Sequence, residues 1–148
     1  MEWHRKDFNE LTIDELYEIL RLRSEIFVVE QDCVYQDLDL KDKKSIILFG
    51  LEDGEVVATS RVIPAGISYE CPSIGRLVVK EKCRHYGYAR KMMLEAISII
   101  KNEFGAHKIK ISGQAYLKEF YMSLGFKIIT DVYLEDGIEH FGFELDLI

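Results

Sequence analysis

The sequence predicts an α/β fold in which a single mixed and mostly antiparallel β-sheet carries helices on both faces. Three observations point to it. A strand-like run, Ser73-Ile74-Gly75-Arg76-Leu77-Val78-Val79, leads through a loop and an amphipathic helix into a second run, Lys108-Ile109-Lys110-Ile111-Ser112-Gly113. That is the order of a right-handed crossover between parallel strands. Two Asp-Gly pairs, Asp53-Gly54 and Asp136-Gly137, each separate apolar runs, as tight hairpin turns do. Thr12-Ile13-Asp14-Glu15 matches a capping box just ahead of apolar residues at helical spacing.

Taken in order, Glu2 to Lys6 reads as a short edge strand, and the capped helix follows with Leu16, Ile19, Leu20, Arg23 and Phe27 along one side. Asp32 to Lys44 is rich in Asp and Lys and has no period, so it reads as a loop with one helical turn, long enough to be functional. Ser45 to Leu51 and Glu55 to Ile63 form the first hairpin. Pro64 to Pro72, with Gly66, is a connection. In the crossover helix, Ala89, Met92, Met93, Ala96, Ile97 and Ile100 mark one buried face. A further helix carries Leu117, Phe120, Tyr121 and Leu124 and closes at Gly125-Phe126. The last hairpin runs from Phe126-Lys127-Ile128-Ile129 through Asp136-Gly137 to His140 and Leu145. At 148 residues the chain fits one domain, residues 1–148, with no repeat, low-complexity tract or linker to divide it.

The segment with the most chemistry is Arg84-His85-Tyr86-Gly87-Tyr88-Ala89, between the first crossover strand and its helix. Backbone N–H groups of such a loop and of the first helical turn have no intrahelical partners and can converge on an anion. Gly87 removes a Cβ from the approach, and Ala89 keeps the helix start close to the sheet. From the pattern alone, an ordinary tight strand-to-helix connection fits these residues as well.

Loop, helix, strand and the ending Phe120-Tyr121-x-x-x-Gly125-Phe126 together resemble the GNAT superfamily of acetyl-CoA-dependent N-acyltransferases. Leu20-Arg21-Leu22-Arg23 through Phe27-Val28-Val29-Glu30-Gln31, and Tyr133 to His140, resemble its ElaA-like branch, so the likeness spans the chain. The resemblance implies the GNAT fold, with a central parallel strand pair that splays apart, and acetyl-CoA as co-substrate without a metal. The pyrophosphate would meet the loop from His85 through Tyr86, Gly87, Tyr88 and Ala89 to Arg90, with Arg84 and Arg90 adding charge. Pantetheine amides would pair with Leu77, Val78 and Val79 as an added strand does, and an N–H near Val79 would serve the oxyanion. Tyr121 would be the general acid for the departing thiolate; its other reading is a core aromatic in the stripe of Leu117, Phe120 and Leu124. Gln114 stands where many relatives carry Asn, a departure that leaves its contact open. Glu30 and Gln31 would wall the acceptor site, facing Glu135 and His140. Glu30, Glu135 and His140 are the candidate bases, beside ordered water.

Composition narrows the alternatives. A net charge of −7 disfavours nucleic acid as a partner. No apolar run is long enough to span a bilayer, and Met1 to Lys6 lacks the apolar core of a secretory signal, so the expectation is a cytoplasmic protein without membrane attachment. Cys33, Cys71 and Cys83 form no C-x-x-C pair and, with His85, no zinc spacing, so reduced thiols and no metal are expected. The leading reading is an enzyme moving acetyl from acetyl-CoA to a primary amine by direct attack, the acceptor being a small molecule or a protein amine. A non-catalytic acyl-CoA-binding or sensing domain and an acidic interaction module are the alternatives. The sequence sets no oligomeric state; a homodimer is compatible with it.

Overall fold

In the computed structural model, which describes residues 1–148, the strands are β1 (Glu2–Asp7), β2 (Ile46–Glu52), β3 (Glu55–Ile63), β4 (Ser73–Val79), β5 (Lys108–Gln114), β6 (Lys127–Ile128), β7 (Tyr133–Glu135) and β8 (Ile138–Asp146). The helices are α1 (Ile13–Arg23), α2 (Tyr88–Asn102) and α3 (Lys118–Ser123). Strand order is β1-β2-β3-β4, then β5-β8-β6, with β7 also on β8, and every ladder is antiparallel. β4 and β5 meet only at their starts, where Lys110 N–H donates to the Pro72 carbonyl at 3.3 Å. Beyond that bond the two strands part, so the expected splay divides the sheet into two hydrogen-bonded halves. No helix is long and apolar enough to cross a membrane.

Local chemistry explains most elements. Thr12 Oγ1 accepts from Glu15 N–H at 3.1 Å while Glu15 Oε1 accepts from Thr12 N–H at 2.9 Å, closing the predicted capping box. Asp53-Gly54 and Asp136-Gly137 both have positive φ, as type I′ turns require. The first helix does not run unbroken to Phe27: after Arg23 the chain widens into a π-helical segment, Ser24–Glu30, which ends against Gln31. The final region also differs from a simple hairpin. β6 and β7 line up one after the other along β8, pairing with Phe143–Glu144 and Ile138–His140 respectively.

The sheet separates two large cores, and a third, smaller cluster joins Val57, Ala58, Val79, Cys83 and Met92. On one face, Met93, Ala96, Ile99 and Ile100 of α2 pack with Leu48, Val62, Ile74, Ile109, Ile111, Tyr121, Phe126 and Phe143. Ile99 is fully buried where the apolar pattern pointed to Ile97, which is half-buried at the rim of that core. On the other face, Ile19 and Leu22 of α1 and Ile26 pack with Ile47, Phe49, Val56 and Val78. Each fully buried Val, Leu, Ile, Phe or Met side chain among them contributes roughly 1.5–3 kcal/mol of transfer free energy.

Ile74 and Val78 lie four positions apart on β4, so a regular strand would point both to one face. They enter opposite cores instead. The ladder shows why: Thr59 pairs with Val78 but Arg61 with Gly75, leaving an extra residue on β4, and Arg76 takes φ 49° within that bulge. The bulge therefore re-aims the end of β4 just where the strands separate.

Candidate active site

A cleft of about 1000 Å³ opens between the diverging ends of β4 and β5. Leu77, Val78, Val79, Ile111, Gly113 and Gln114 form its centre. Register sorts its walls. Ile111 and Gly113 face α2 and α3, so alternation turns Ser112 and Gln114 to the opposite face, together with His140, the ladder partner of Gln114. The cleft thus has a helix-side chamber and a chamber under the π-helical segment, on opposite faces of the splayed strands.

The helix-side chamber holds the Arg84–Arg90 loop. His85 and Gly87 take φ 73° and 79°, and Gly87 is the N-cap of α2, so Tyr88, Ala89 and Arg90 present their free N–H groups at the loop. A Cβ on Gly87 would meet no protein atom within 4 Å; the left-handed backbone is what requires glycine there. An anion can sit against these N–H groups and the helix dipole. Arg84 Nε donates to the Val79 carbonyl at 3.0 Å and Nη2 to Glu30 Oε2 at 2.8 Å, so its side chain bridges the loop and the π-helical segment. Arg90 reaches towards α3, with Nη2 2.6 Å from Ser123 Oγ and the guanidinium 5.7 Å over the Phe120 ring. Tyr86 stacks on Tyr88, ring centroids 5.9 Å apart.

Tyr121 lines the same chamber from α3 and is 7% exposed. Its ring sits among Phe120, Phe126 and Phe143, with centroid separations of 5.3, 6.3 and 5.0 Å. Burial, with a smaller contribution from Tyr116, pushes its phenol above the ordinary tyrosine range, so it keeps its proton at neutral pH. It belongs to the hydrophobic core and to the cleft wall at once.

Across the splay, Gln31 and Gln114 exchange two amide hydrogen bonds, each 3.2 Å, tying the end of the π-helical segment to the end of β5. Glu135 and His140 lie together on β7 and β8, with His140 Nε2 3.4 Å from Glu135 Oε2. Gln31, Gln114, Glu135 and His140 therefore share one chamber, while Glu30 turns to Arg84 at its mouth.

Sequence reading missed a buried charged cluster beside this chamber, of which Asp39, Arg61 and Arg76 line the cleft. Arg23 and Arg61, 2% and 3% exposed, are held with Arg76 by Asp37, Asp39 and Asp42. Arg61 binds Asp39 through two 2.7 Å hydrogen bonds, and Arg76 donates to the Asp37 carbonyl at 2.8 Å while lying 5.7 Å over the Tyr35 ring. Burial raises the Asp39 carboxyl, but the Arg61 hydrogen bonds and charge outweigh it and hold the group well below the usual range. The clue was available: Arg23, Arg61 and Arg76 interrupt apolar runs, and Asp37, Asp39 and Asp42 are the counter-charges that a buried arginine needs. Gly113 was likewise passed over. No group of three or more His, Cys, Asp or Glu side chains in the structure is arranged to hold a metal.

Residues 14–147 match the family model described as an acetyltransferase (GNAT) domain. A UPF0039 protein of Schizosaccharomyces pombe is 42% identical over 99% of this chain and 98% of its own length. Among solved structures, an acyl-CoA N-acyltransferase from Pseudomonas aeruginosa superposes with a TM-score of 0.91 at 34% identity, covering 97% of this chain and 98% of its own. The crystal structure of ElaA from Escherichia coli gives a TM-score of 0.91 at 33% identity, covering 99% of this chain and all of its own.

Proposed function

The chain belongs to the GNAT acetyltransferase family, in its ElaA-like branch, and from there we propose that it moves acetyl from acetyl-CoA to a primary amine by direct attack. The observation that carries this reading is a single cleft at the β4/β5 splay that is lined from both faces of the sheet. Direct transfer needs a thioester presented from one side and an amine from the other, with no covalent acyl-enzyme between them.

Acetyl-CoA lies along the helix-side chamber, its pyrophosphate on the Tyr88, Ala89 and Arg90 N–H groups and its pantetheine amides along Leu77 to Val79. The thioester carbonyl then reaches the splay, where a free N–H of β4 near Val79 polarises it. The amine occupies the other chamber, beside Gln31, Gln114, Glu135 and His140. Tyr121 supports departure of the thiolate. A free phenol near 10 is a weaker acid than a thiol near 8.5, so full transfer is uphill by roughly 2 kcal/mol. The phenol therefore acts first as a hydrogen-bond donor to the developing sulfur charge and releases its proton only as the C–S bond breaks. Burial, which raises the phenol, disfavours the thiolate in the same chamber too.

The test is thiol release from acetyl-CoA with a panel of primary amines, namely benzylamine, spermidine, an aminoglycoside and a lysine peptide, paired with calorimetry of acetyl-CoA alone. Amine-dependent release of one thiol per acetylated amine supports the reading. Acetyl-CoA binding without release from any amine points instead to an acyl-CoA sensor.

A further inference from the structure

His140 sits in a built polar cluster that the steps above do not use. Its Nδ1 lies 2.7 Å from the carbonyl oxygen of Ile138. A carbonyl oxygen can only accept, so Nδ1 carries the hydrogen, and the neutral ring keeps its lone pair on Nε2. That nitrogen lies 3.4 Å from Glu135 Oε2. Glu135 Oε1 in turn accepts from Ser112 Oγ at 3.1 Å, and the Ser112 hydroxyl is hydrogen-bonded to that of Tyr133. The Tyr133 ring lies nearly parallel to the imidazole, 24° between planes, with ring centroids 6.1 Å apart. From β5 the imidazole faces the neutral amide of Gln114, and the nearby Cys33 thiol is turned to the Asp136 carbonyl.

Exposure gives the cluster a direction. The His140 side chain is 8% exposed on the cleft wall, whereas that of Glu135 is 49% exposed. A lone pair inside the chamber and a carboxylate 3.4 Å away at the surface form a path from the chamber to water.

We propose that His140 is the proton acceptor for the attacking amine and that Glu135 passes the proton to solvent. The assignment rests on the acyl-transfer reading above. An ammonium arriving at the chamber gives one proton to His140 Nε2, and the freed nitrogen lone pair forms the N–C bond at the thioester carbonyl. The C–S bond breaks, and its electron pair takes the Tyr121 proton to give the thiol. The second proton lost from nitrogen leaves through His140 and water and is matched by the one that restores Tyr121. Ammonium and thioester thus yield amide, thiol and one released proton.

Two measurements test this. In wild-type protein labelled with ¹⁵N in histidine, the neutral His140 ring should show protonated Nδ1 and bare Nε2; protonated Nε2 in the neutral ring overturns the proposal irrespective of any turnover. In kinetics, His140→Gln should bind acetyl-CoA within about twofold of wild type while kcat/KM for benzylamine, or for whichever panel amine reacts fastest, falls on the order of 10²–10⁴-fold at neutral pH. The deficit should shrink as pH rises and free amine replaces ammonium. Glu135→Gln should show a smaller loss with the same pH trend. Full activity of His140→Gln, or a deficit constant with pH, overturns the base role while leaving acyl transfer standing. A wild type that releases no thiol with any amine overturns both.

Discussion

A Cβ on Gly113 would stand 2.6 Å from Cε2 of Tyr121 and 2.9 Å from Cε2 of Phe143, so the phenol ring fills space that only glycine leaves on β5. The strand centre and the α3 tyrosine are thereby one unit: what widens residue 113 must move the ring.

Gly113→Ala is expected to displace Tyr121 although the tyrosine itself is retained. Overpacking of this kind costs about 1–3 kcal/mol, seen as a lowered Tm, and kcat should fall further than affinity for acetyl-CoA. Wild-type melting together with wild-type turnover would show that the ring has no need of the gap.

The Arg23, Arg61 and Arg76 cluster makes a prediction about acid. Because the folded Asp39 carboxyl lies below its unfolded value of about 3.9, its stabilisation is full above that value and is lost as pH falls through it towards the folded one. Urea midpoints should therefore drop steeply below about pH 4, more shallowly in Asp39→Asn. That variant also leaves Arg61 without its bidentate partner, a loss of about 3 kcal/mol, at the low end for a broken buried pair because Asp39 is partly exposed. An identical pH slope in variant and wild type would remove Asp39 from the account.

Arg84 and Glu30 are each about one-third exposed (35% and 34%), so their ion pair contributes little stability, at most about 1 kcal/mol. Its consequence is competition. Arg84→Ala should leave Tm nearly unchanged and weaken acetyl-CoA binding, with a smaller salt dependence, whereas Glu30→Ala should free Arg84 and tighten binding slightly. The sequence alone suggests that Glu30→Ala affects only the acceptor; the pair with Arg84 changes that expectation. Equal calorimetric affinities in Arg84→Ala and wild type would exclude the guanidinium from the phosphate site.

Much of this was legible in the residues because it is local. The Thr12–Glu15 box, the two Asp-Gly turns and the α2 face are each set by neighbours a few positions apart. What escaped depends on distant partners. The π-helical widening after Arg23 leaves no distinct period, and the bulge at Arg76 appears only when β3 and β4 are aligned. The Arg–Asp cluster joins residues 14 to 39 positions apart, so each charge taken alone reads as part of a solvated loop or a stray in a strand. Gln31 and Gln114, 83 positions apart, were named separately; only the fold pairs them.

Tyr121→Phe is the most direct test of the central claim, because it keeps the ring among Phe120, Phe126 and Phe143 and deletes only the hydroxyl. The measurement is kcat under conditions where chemistry limits the rate, alongside calorimetric affinity for acetyl-CoA. The account predicts a kcat lower by roughly 10²–10⁴-fold, nearer the lower end because a thiolate leaves partly unaided, with affinity nearly unchanged. A variant with wild-type kcat under those conditions would contradict it and leave Tyr121 as a core aromatic alone.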